Sequence, residues 1–212
     1  MVLETHSLVS LIPYFKALVI RIVDKFYQNL RLMKKFGILI LIILSTTIFA
    51  SLYGAIHDQL SYTISPEYFT KFKYAQFGLE PVWFGGDRQT VAVIGILATW
   101  WTGTFIGLWH GVVGLIHKDN KIMLNVICNA ILINLITAFS IGLIGFIYGK
   151  IYLSKTGVNW RLPANLIDIE NYIAVGSMHN FSYLGGLIGL MIGIGYQLRK
   201  KHQATRDLLN GK

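Results

Sequence analysis

Four long apolar runs divide the chain, and each is long enough to cross a bilayer as a helix. They lie at about residues 36–56, 90–116, 122–149 and 181–198. A helix rises 1.5 Å per residue, so the first run extends about 31 Å and matches the hydrocarbon core. The runs do not alternate with period two, which excludes a β-barrel. We therefore predict an all-α membrane protein whose residues 36–198 form four transmembrane helices.

An amphipathic pattern precedes the first run. After Pro13, apolar residues recur at steps of three and four and form one stripe: Phe15, Val19, Ile22, Val23, Phe26, Leu30 and Met33. The other side carries basic residues: Lys16, Arg21, Lys25 and Arg31. We predict that residues 1–35 form an amphipathic interfacial helix on the inner leaflet, facing anionic headgroups. Binding of a calmodulin-like partner is the alternative for this segment.

Composition supports the membrane assignment. Charged residues make up 14% of the 212 residues and the mean hydropathy is +0.54, whereas globular chains carry about 25% charged residues. The single cysteine, Cys128, excludes an intrachain disulfide and a cysteine-based zinc cluster, and we interpret it as a small buried apolar residue. The net charge is +9, but the chain contains no nucleotide-binding glycine loop and no nucleic-acid module.

The distribution of Lys and Arg predicts the orientation of the chain. The amino-terminal segment, the short connection 117–121 and the carboxyl-terminal segment carry 13 of the 19 basic residues. By the positive-inside rule, both termini lie in the cytoplasm of an inner cell membrane, and residues 199–212 form a basic cytoplasmic tail. A cleavable signal peptide is the alternative for the first run, but a leader of 35 residues is too long for one.

A short helix is expected in the first outward loop. Ser65 is a good N-cap, Pro66 suits the first helical position, and Glu67 complements the helix dipole. Gly78 is a suitable stop. We therefore predict a short extracytoplasmic helix at residues 66–77.

Glycine ladders with four-residue steps mark the second and fourth runs. Their members are Gly103, Gly107 and Gly111, followed by Gly185, Gly189 and Gly193. Small residues at this spacing let helix backbones approach closely. We predict that the second and fourth helices pack against each other, or that each packs against a copy, so that a homo-oligomer or a membrane partner remains open.

Polar residues also occur within the apolar runs. His110 and Asn129 lie about 12 Å from the same ends of the second and third helices. Asn125 is one turn away. One interpretation is a hydrogen bond across the helix interface, and the other is a proton or ion relay. The predicted spans contain no Asp or Glu, which argues against a proton-coupled transporter.

Two histidines and two carboxylates converge at the outward face: His57, Asp58, Glu67 and His179. Nitrogen and oxygen ligands in this number suit one zinc, iron or manganese ion. Adjacent residues on a helix point in different directions, so we expect His57 and Asp58 to share a metal only if the helix has ended before them. Supporting hydrogen-bond groups are Gln59, Tyr62, Asn180 and Tyr183.

Three interpretations of this cluster remain open: helix capping, a metal site, and a metal-free acid–base or ligand-binding site. The corresponding function classes are a metal-dependent enzyme and a non-enzymatic membrane scaffold or accessory subunit. A small channel or transporter that uses His110 or Asn129 is a third class. The lipid bilayer is the one partner that the sequence predicts directly.

Four short strings occur in order over residues 53–187: YGAIHDQ, PEYF, ATWW and HNFSYLGG. Through these strings the chain resembles a group of small bacterial four-span membrane proteins of unknown function. The region that they span is about two thirds of the chain. The resemblance implies the four-span topology and draws attention to His57, Asp58, Glu67, His179 and Asn180. It implies no activity, and the amino-terminal amphipathic segment lies outside it.

Overall fold

The computed structural model describes residues 5–210, which are predominantly helical and contain no strand. Its elements are α1 (Thr5–Ile64), α2 (Pro66–Tyr68), a π-helical turn (Phe69–Lys73), α3 (Tyr74–Phe77), a 3-10 turn (Pro81–Trp83), α4 (Asp87–Gly114), α5 (Asn120–Tyr148), a second π-helical turn (Gly149–Leu153), α6 (Ser154–Thr156) and α7 (Ile169–Leu209).

Four helical stretches are long and apolar enough to cross a membrane: Lys16–Ile64, Asp87–Gly114, Asn120–Thr156 and Ile169–Leu209. Among the described residues, the predicted all-α fold with four helices long and apolar enough to cross a membrane is confirmed. The helices are longer than the apolar runs. Backbone hydrogen bonding requires no apolar side chain, and Lys, Arg, Gln and Leu are good helix formers, so polar flanks continue each helix.

The chain divides into two compact units, residues 1–38 and 39–212. In the first unit, the described members of the predicted apolar stripe are exposed, as are the basic residues of the other side. Phe26 is 60% exposed and Met33 is 69% exposed. The side chains of Phe15 and Val19 lie outside the described residues. The interfacial position of residues 1–35 therefore stays a prediction.

Within the second unit, the glycines of α4 pack against α1. A Cβ atom at Gly103 would lie 2.4 Å from the Thr46 carbonyl oxygen, and one at Gly107 would lie 3.0 Å from Ile43 Cα. A Cβ atom at Gly111 would meet the Leu39 side chain. The second helix thus uses its ladder to approach the first helix.

The glycines of α7 pack mainly against α5. A Cβ atom at Gly185 would lie 2.9 Å from Ala138 Cα, and one at Gly189 would lie 2.8 Å from Asn134 Cα. At Gly193 it would meet the His110 ring of α4 and the Ala130 carbonyl oxygen. The predicted pairing of the second helix with the fourth through their ladders was therefore wrong. Each ladder packs inside the chain, because small residues permit close approach to any neighbouring backbone.

Residues 66–77 are helical and end at Gly78, whose φ of 63° is left-handed and favours glycine. Ser65 occupies the N-cap position of α2 as predicted, but its side chain forms no capping hydrogen bond. This segment is held by a buried aromatic and aliphatic core: Tyr68, Phe69, Tyr74, Val91, Ile94, Tyr172 and Val175. The core lies beside the end of α1 and the beginning of α4 and α7.

Candidate functional site

Three of the four predicted ligands meet in one cluster. His57 and Asp58 of α1 and His179 of α7 each offer one ligand atom, and these atoms all lie within 4.8 Å of one another. The condition set for a shared metal, that the helix has ended before His57, is not met, because α1 continues to Ile64. The two adjacent side chains nevertheless turn toward each other, with His57 Nδ1 3.3 Å from Asp58 Oδ1.

Two contacts hold His179 in place. Its Nδ1 lies 2.9 Å from the Val175 carbonyl oxygen, one helical turn earlier, and its Nε2 lies 3.0 Å from Asp58 Oδ1. A carbonyl oxygen only accepts hydrogen bonds, so this contact assigns the Nδ1 hydrogen. A neutral ring then presents the lone pair of Nε2 to the carboxyl group. A proton or a metal ion must therefore lie between His179 Nε2 and Asp58 Oδ1.

Aromatic side chains enclose the cluster. The His179 ring lies 4.8 Å from the His57 ring in an edge contact and 4.9 Å from the Tyr68 ring. Phe69, which is fully buried, also borders His179. Burial raises the pKa of the Tyr68 hydroxyl, so this group remains protonated. The enclosure leaves Asp58 only 3% exposed, a low value for a carboxylate.

Glu67, the fourth predicted ligand, lies outside the cluster. Its carboxylate accepts hydrogen bonds from the Ile167 and Asp168 backbone amides at 3.0 and 2.8 Å, and it pairs with Lys71. Lys71, followed by the two amides, lowers the pKa of Glu67 to about 2. The structure thus assigns Glu67 to fixing the loop that precedes α7. The sequence placed it correctly near the same end of the helices but gave no information on its partners.

The four supporting residues do not surround the cluster as expected. Gln59 exchanges hydrogen bonds with Arg88, and the Tyr62 hydroxyl donates to Asp87 Oδ2 at 3.1 Å. Asn180 is exposed on α7. Of the four, Tyr183 lines the same cavity as the cluster, and its hydroxyl donates to the Ala98 carbonyl oxygen at 3.2 Å.

Lys73 is a nearby residue that the sequence reasoning missed. It is 7% exposed, and its Nζ donates to Gln76 Oε1 at 2.9 Å while lying over the rings of Tyr68 and Phe72. Burial lowers the pKa of Lys73, and the Asp58 carboxylate opposes that effect. The position of Lys73 four and five residues after Phe69 and Tyr68 was the available signal, but loop lysines are normally solvated.

The predicted pairing of His110 with Asn129 was wrong. His110 Nδ1 accepts a hydrogen bond of 2.9 Å from Gln197 Nε2 of α7, and both residues are fully buried. Asn129 instead donates to the Asn125 carbonyl oxygen of its own helix. The predicted spans contain no carboxylate, but α1 continues beyond residue 56, and Asp58 lies within the helical stretch Lys16–Ile64.

A cavity of about 540 Å³ extends from the cluster between α1, α4, α5 and α7. His57, Asp58 and His179 line its polar end. Cys128 also lines it and is exposed, which corrects its interpretation as a buried residue. The cluster therefore faces a space large enough for a small molecule, because ligand pockets commonly measure about 300–1,000 Å³.

Comparisons of the chain with protein-family models, with curated proteins and with solved structures find no match. The argument for a function therefore depends on the site itself: its ligand atoms, its enclosure and the cavity that it borders.

Proposed function

We propose that this protein is a membrane metalloprotein in which His57, Asp58 and His179 bind one transition-metal ion. The observation that carries the proposal is the contact of His179 Nε2 with Asp58 Oδ1 at 3.0 Å, with His57 Nδ1 at 3.3 Å from the same oxygen. Two ligands that lie about 2.1 Å from a tetrahedral ion are about 3.4 Å apart. These two separations differ from that value by a few tenths of an ångström, and all three ligand atoms lie within 4.8 Å of one another.

The surroundings of His179 also favour metal binding. Metal-ligating histidines usually donate their other ring N–H to a carbonyl or carboxylate, which fixes the ring orientation. The Val175 carbonyl oxygen occupies that position. Three protein ligands leave one coordination position open, as in catalytic zinc sites, and two histidines with one carboxylate suit zinc, iron or manganese. A bound ion would then polarise an oxygen atom that enters from the cavity.

Metal content is the direct test. We expect about one equivalent of a transition metal in full-length protein purified in mild detergent without chelator, measured by elemental mass spectrometry. The variant His57→Ala/His179→Ala is expected to lose the metal. His202→Ala, an exposed histidine on the same helix as His179, is the matched control and should retain it. Metal-free wild-type protein would reject the proposal and favour a scaffold or accessory role.

We further propose that the cluster lies near the outer face of an inner cell membrane and that both termini are cytoplasmic. The support is the excess of Lys and Arg in the amino-terminal segment, the 117–121 connection and the carboxyl-terminal segment. Asn159→Cys, in the loop before α7, and Gln203→Cys, near the end of α7, place exposed thiols on either side of the fourth span. In intact cells, a membrane-impermeant maleimide should label the first and not the second. The reverse pattern would invert the topology.

A metal-free acid–base site is the second candidate function. If His57 Nδ1–H donates to Asp58, the His57 Nε2 lone pair is left for a substrate proton, which is the role of an oriented general base. That Nε2 atom is buried and forms no hydrogen bond within the part of the chain that the structure describes. Activity that persists in metal-free protein and is lost in His57→Gln would favour this function over the metal site.

A further inference from the structure

The cavity beside the cluster is long and narrow. Along α1 its lining residues run from Asp58 to Leu41, which is about 26 Å of helix. A volume of about 540 Å³ spread over that length gives a mean cross-section of roughly 20 Å². Carbon atoms in contact are separated by about 3.5–4.0 Å, so a space of this length and width admits an extended hydrocarbon chain.

The wall of the cavity is apolar beyond the cluster. Its surface is predominantly apolar although it includes polar residues such as Ser45 and Asn134, and two of its hydroxyl groups are satisfied by backbone carbonyls. Thr46 Oγ1 donates to the Ile42 oxygen at 2.7 Å, and Thr99 Oγ1 donates to the Ala50 oxygen at 2.7 Å. These two hydroxyls therefore add no unsatisfied donor to the cavity wall, which suits contact with a hydrocarbon chain.

Polar groups gather toward the cluster end. Among the described residues, His57 Nε2 is buried, lines the cavity and forms no hydrogen bond. The buried hydroxyls of Tyr53, one turn before His57, and of Ser182, one turn after His179, also line the cavity and interact with each other. Thr102 Oγ1, farther along α4, is a second buried atom without a hydrogen bond. Buried polar atoms normally have a partner, so the cluster end fits an oxygen-bearing group.

The cavity opens between α1 and α5. Its lining residues Phe49 on α1 and Leu132 and Leu135 on α5 are also exposed, at 68%, 52% and 45%. In a helix that spans a membrane, exposed apolar side chains of this kind face lipid chains. A chain from the surrounding bilayer can therefore enter sideways without passing through water.

We propose that the cavity binds one acyl chain of a membrane lipid, with the carbonyl or carboxylate oxygen at the head of that chain against His57, Asp58 and His179. This inference rests on the proposed function for the contact at the head, where the open coordination position of the metal ion takes the oxygen. A free long-chain fatty acid and the acyl ester of a phospholipid share this chemistry.

Photolabelling tests the proposal. Full-length protein in phospholipid nanodiscs receives either a fatty acid with a mid-chain diazirine or a phospholipid that carries the same labelled chain. After irradiation, adducts are mapped by mass spectrometry. We expect adducts on cavity residues such as Phe49 and Cys128 that an excess of unlabelled fatty acid removes. Labelling by the free acid alone identifies a fatty acid, and labelling by the phospholipid alone identifies an acyl ester.

A matched pair of variants separates cavity binding from labelling of the outer surface. Leu132 and Ile136 lie one turn apart on α5 and are 52% and 56% exposed, but only Leu132 lines the cavity. Leu132→Trp should reduce cavity adducts to the level seen with excess competitor, whereas Ile136→Trp should leave them unchanged. Equal labelling of both variants, or cavity adducts from neither probe, would overturn the proposal.

Metal content measured on the same samples distinguishes the two proposals. Leu132 lies well away from the ligands along α5, so Leu132→Trp should lose the acyl adducts and retain the metal. Metal in the wild type without competed adducts would overturn acyl binding alone. Competed adducts in a metal-free wild type would support acyl binding and reject the metal site.

Discussion

Two buried histidines on different helices show how differently one residue type is used within this chain. His179 contacts an aspartate and a second histidine, and all three line a cavity. His110, which is also buried, has Gln197 as its hydrogen-bond partner, and neither of these two residues lines that cavity. The first histidine belongs to a charged cluster that opens onto a space for a ligand, and the second belongs to a neutral pair enclosed by helices.

The difference shows that a histidine within an apolar run is not sufficient evidence of function. An intramembrane ionisable residue is a functional candidate by default, and by that rule both histidines qualify. The neighbouring groups separate them: a carboxylate that needs a counter-charge near His179, and an amide that needs none near His110. Substitutions near His179 and near His110 should therefore have effects that differ in kind as well as in magnitude.

Removal of the Asp58 carboxylate should have the largest effect. Asp58→Asn keeps the shape of the side chain but replaces the anionic ligand, so we expect the metal content to fall by more than about tenfold. Elemental mass spectrometry of purified protein measures it. Glu67→Gln is the matched control, because Glu67 lies outside the cluster, and it should retain the metal. An equal loss of metal in both variants would show that the metal does not bind at the cluster of His57, Asp58 and His179.

Two glycines of α7 test how tightly each region is packed. A Cβ atom at Gly193 would lie 2.6 Å from His110 Cε1 and 3.0 Å from the Ala130 carbonyl oxygen, whereas one at Gly186, which lines the cavity, meets nothing within 4 Å. Gly193→Ala should therefore lower the free energy of unfolding by about 1–3 kcal/mol through overpacking. Gly186→Ala should leave it unchanged or raise it by up to about 1 kcal/mol.

Reversible unfolding in detergent, followed by circular dichroism, measures both glycine variants. The order of the two free energies is the decisive result. If Gly186→Ala were the more destabilising change, the cavity end would be packed as tightly as the end that holds His110. The contrast between His179 beside a cavity and His110 enclosed by helices would then be wrong.

The His110–Gln197 pair should give only a small coupling energy. In a double-mutant cycle of His110→Leu and Gln197→Leu, we expect about 0.6 kcal/mol and at most about 1.7 kcal/mol, as for other hydrogen bonds between membrane helices. The same cycle for Asp58→Leu and His179→Leu in metal-free protein should give more, because hydrogen bonds to charged groups contribute about 1.5–3 kcal/mol. Proton flux in liposomes that is lost in His110→Leu would contradict the structural role of this pair.

Much of the fold could be predicted because hydropathy dictates it. Three of the four apolar runs lie inside helices of the structure, the second extends two residues beyond α4, and Gly78 ends the helical segment that begins at Pro66. The lengths of α1 and α7 could not be predicted in the same way, because polar residues continue a helix as readily as they end it. Which helix each glycine ladder contacts was also beyond the sequence, since a small residue specifies close approach and not a partner.

The candidate site was predictable in part. His57, Asp58 and His179 could be brought together from the depth of each residue along its helix. Asp58 was placed just outside the first span because the apolar run ends before it, although α1 continues. Lys73 and Gln197 were missed, because their burial depends on tertiary packing that composition does not show. Glu67 was misplaced for the same reason, since its partners are backbone amides about one hundred residues away.

Protonation of Glu67 should have the smallest effect among these predictions. Unlike the buried Asp58, Glu67 has a partly exposed carboxylate, and its partners are Lys71 and two backbone amides. These donors lower its pKa from 4.5 to about 2. Contacts of the ionised form are therefore complete above about pH 4.5 and are lost as the pH falls toward about 2. Hydrogen exchange of the Ile167 amide, corrected for its intrinsic rate, should accelerate within that window.

Lys71→Met isolates the cause of that shift. Lys71 contributes most to the low pKa of Glu67, so its removal should move the midpoint of the exchange transition upward, toward 4.5. Glu67→Gln should abolish the transition, because an amide does not titrate in this range. A wild-type midpoint already near 4.5 would mean that Lys71 and the two amides do not stabilise the carboxylate. The anchoring of the loop before α7 would then have to depend on the neighbouring aromatic core, in which Tyr68 contacts Tyr172 at 5.4 Å between ring centres.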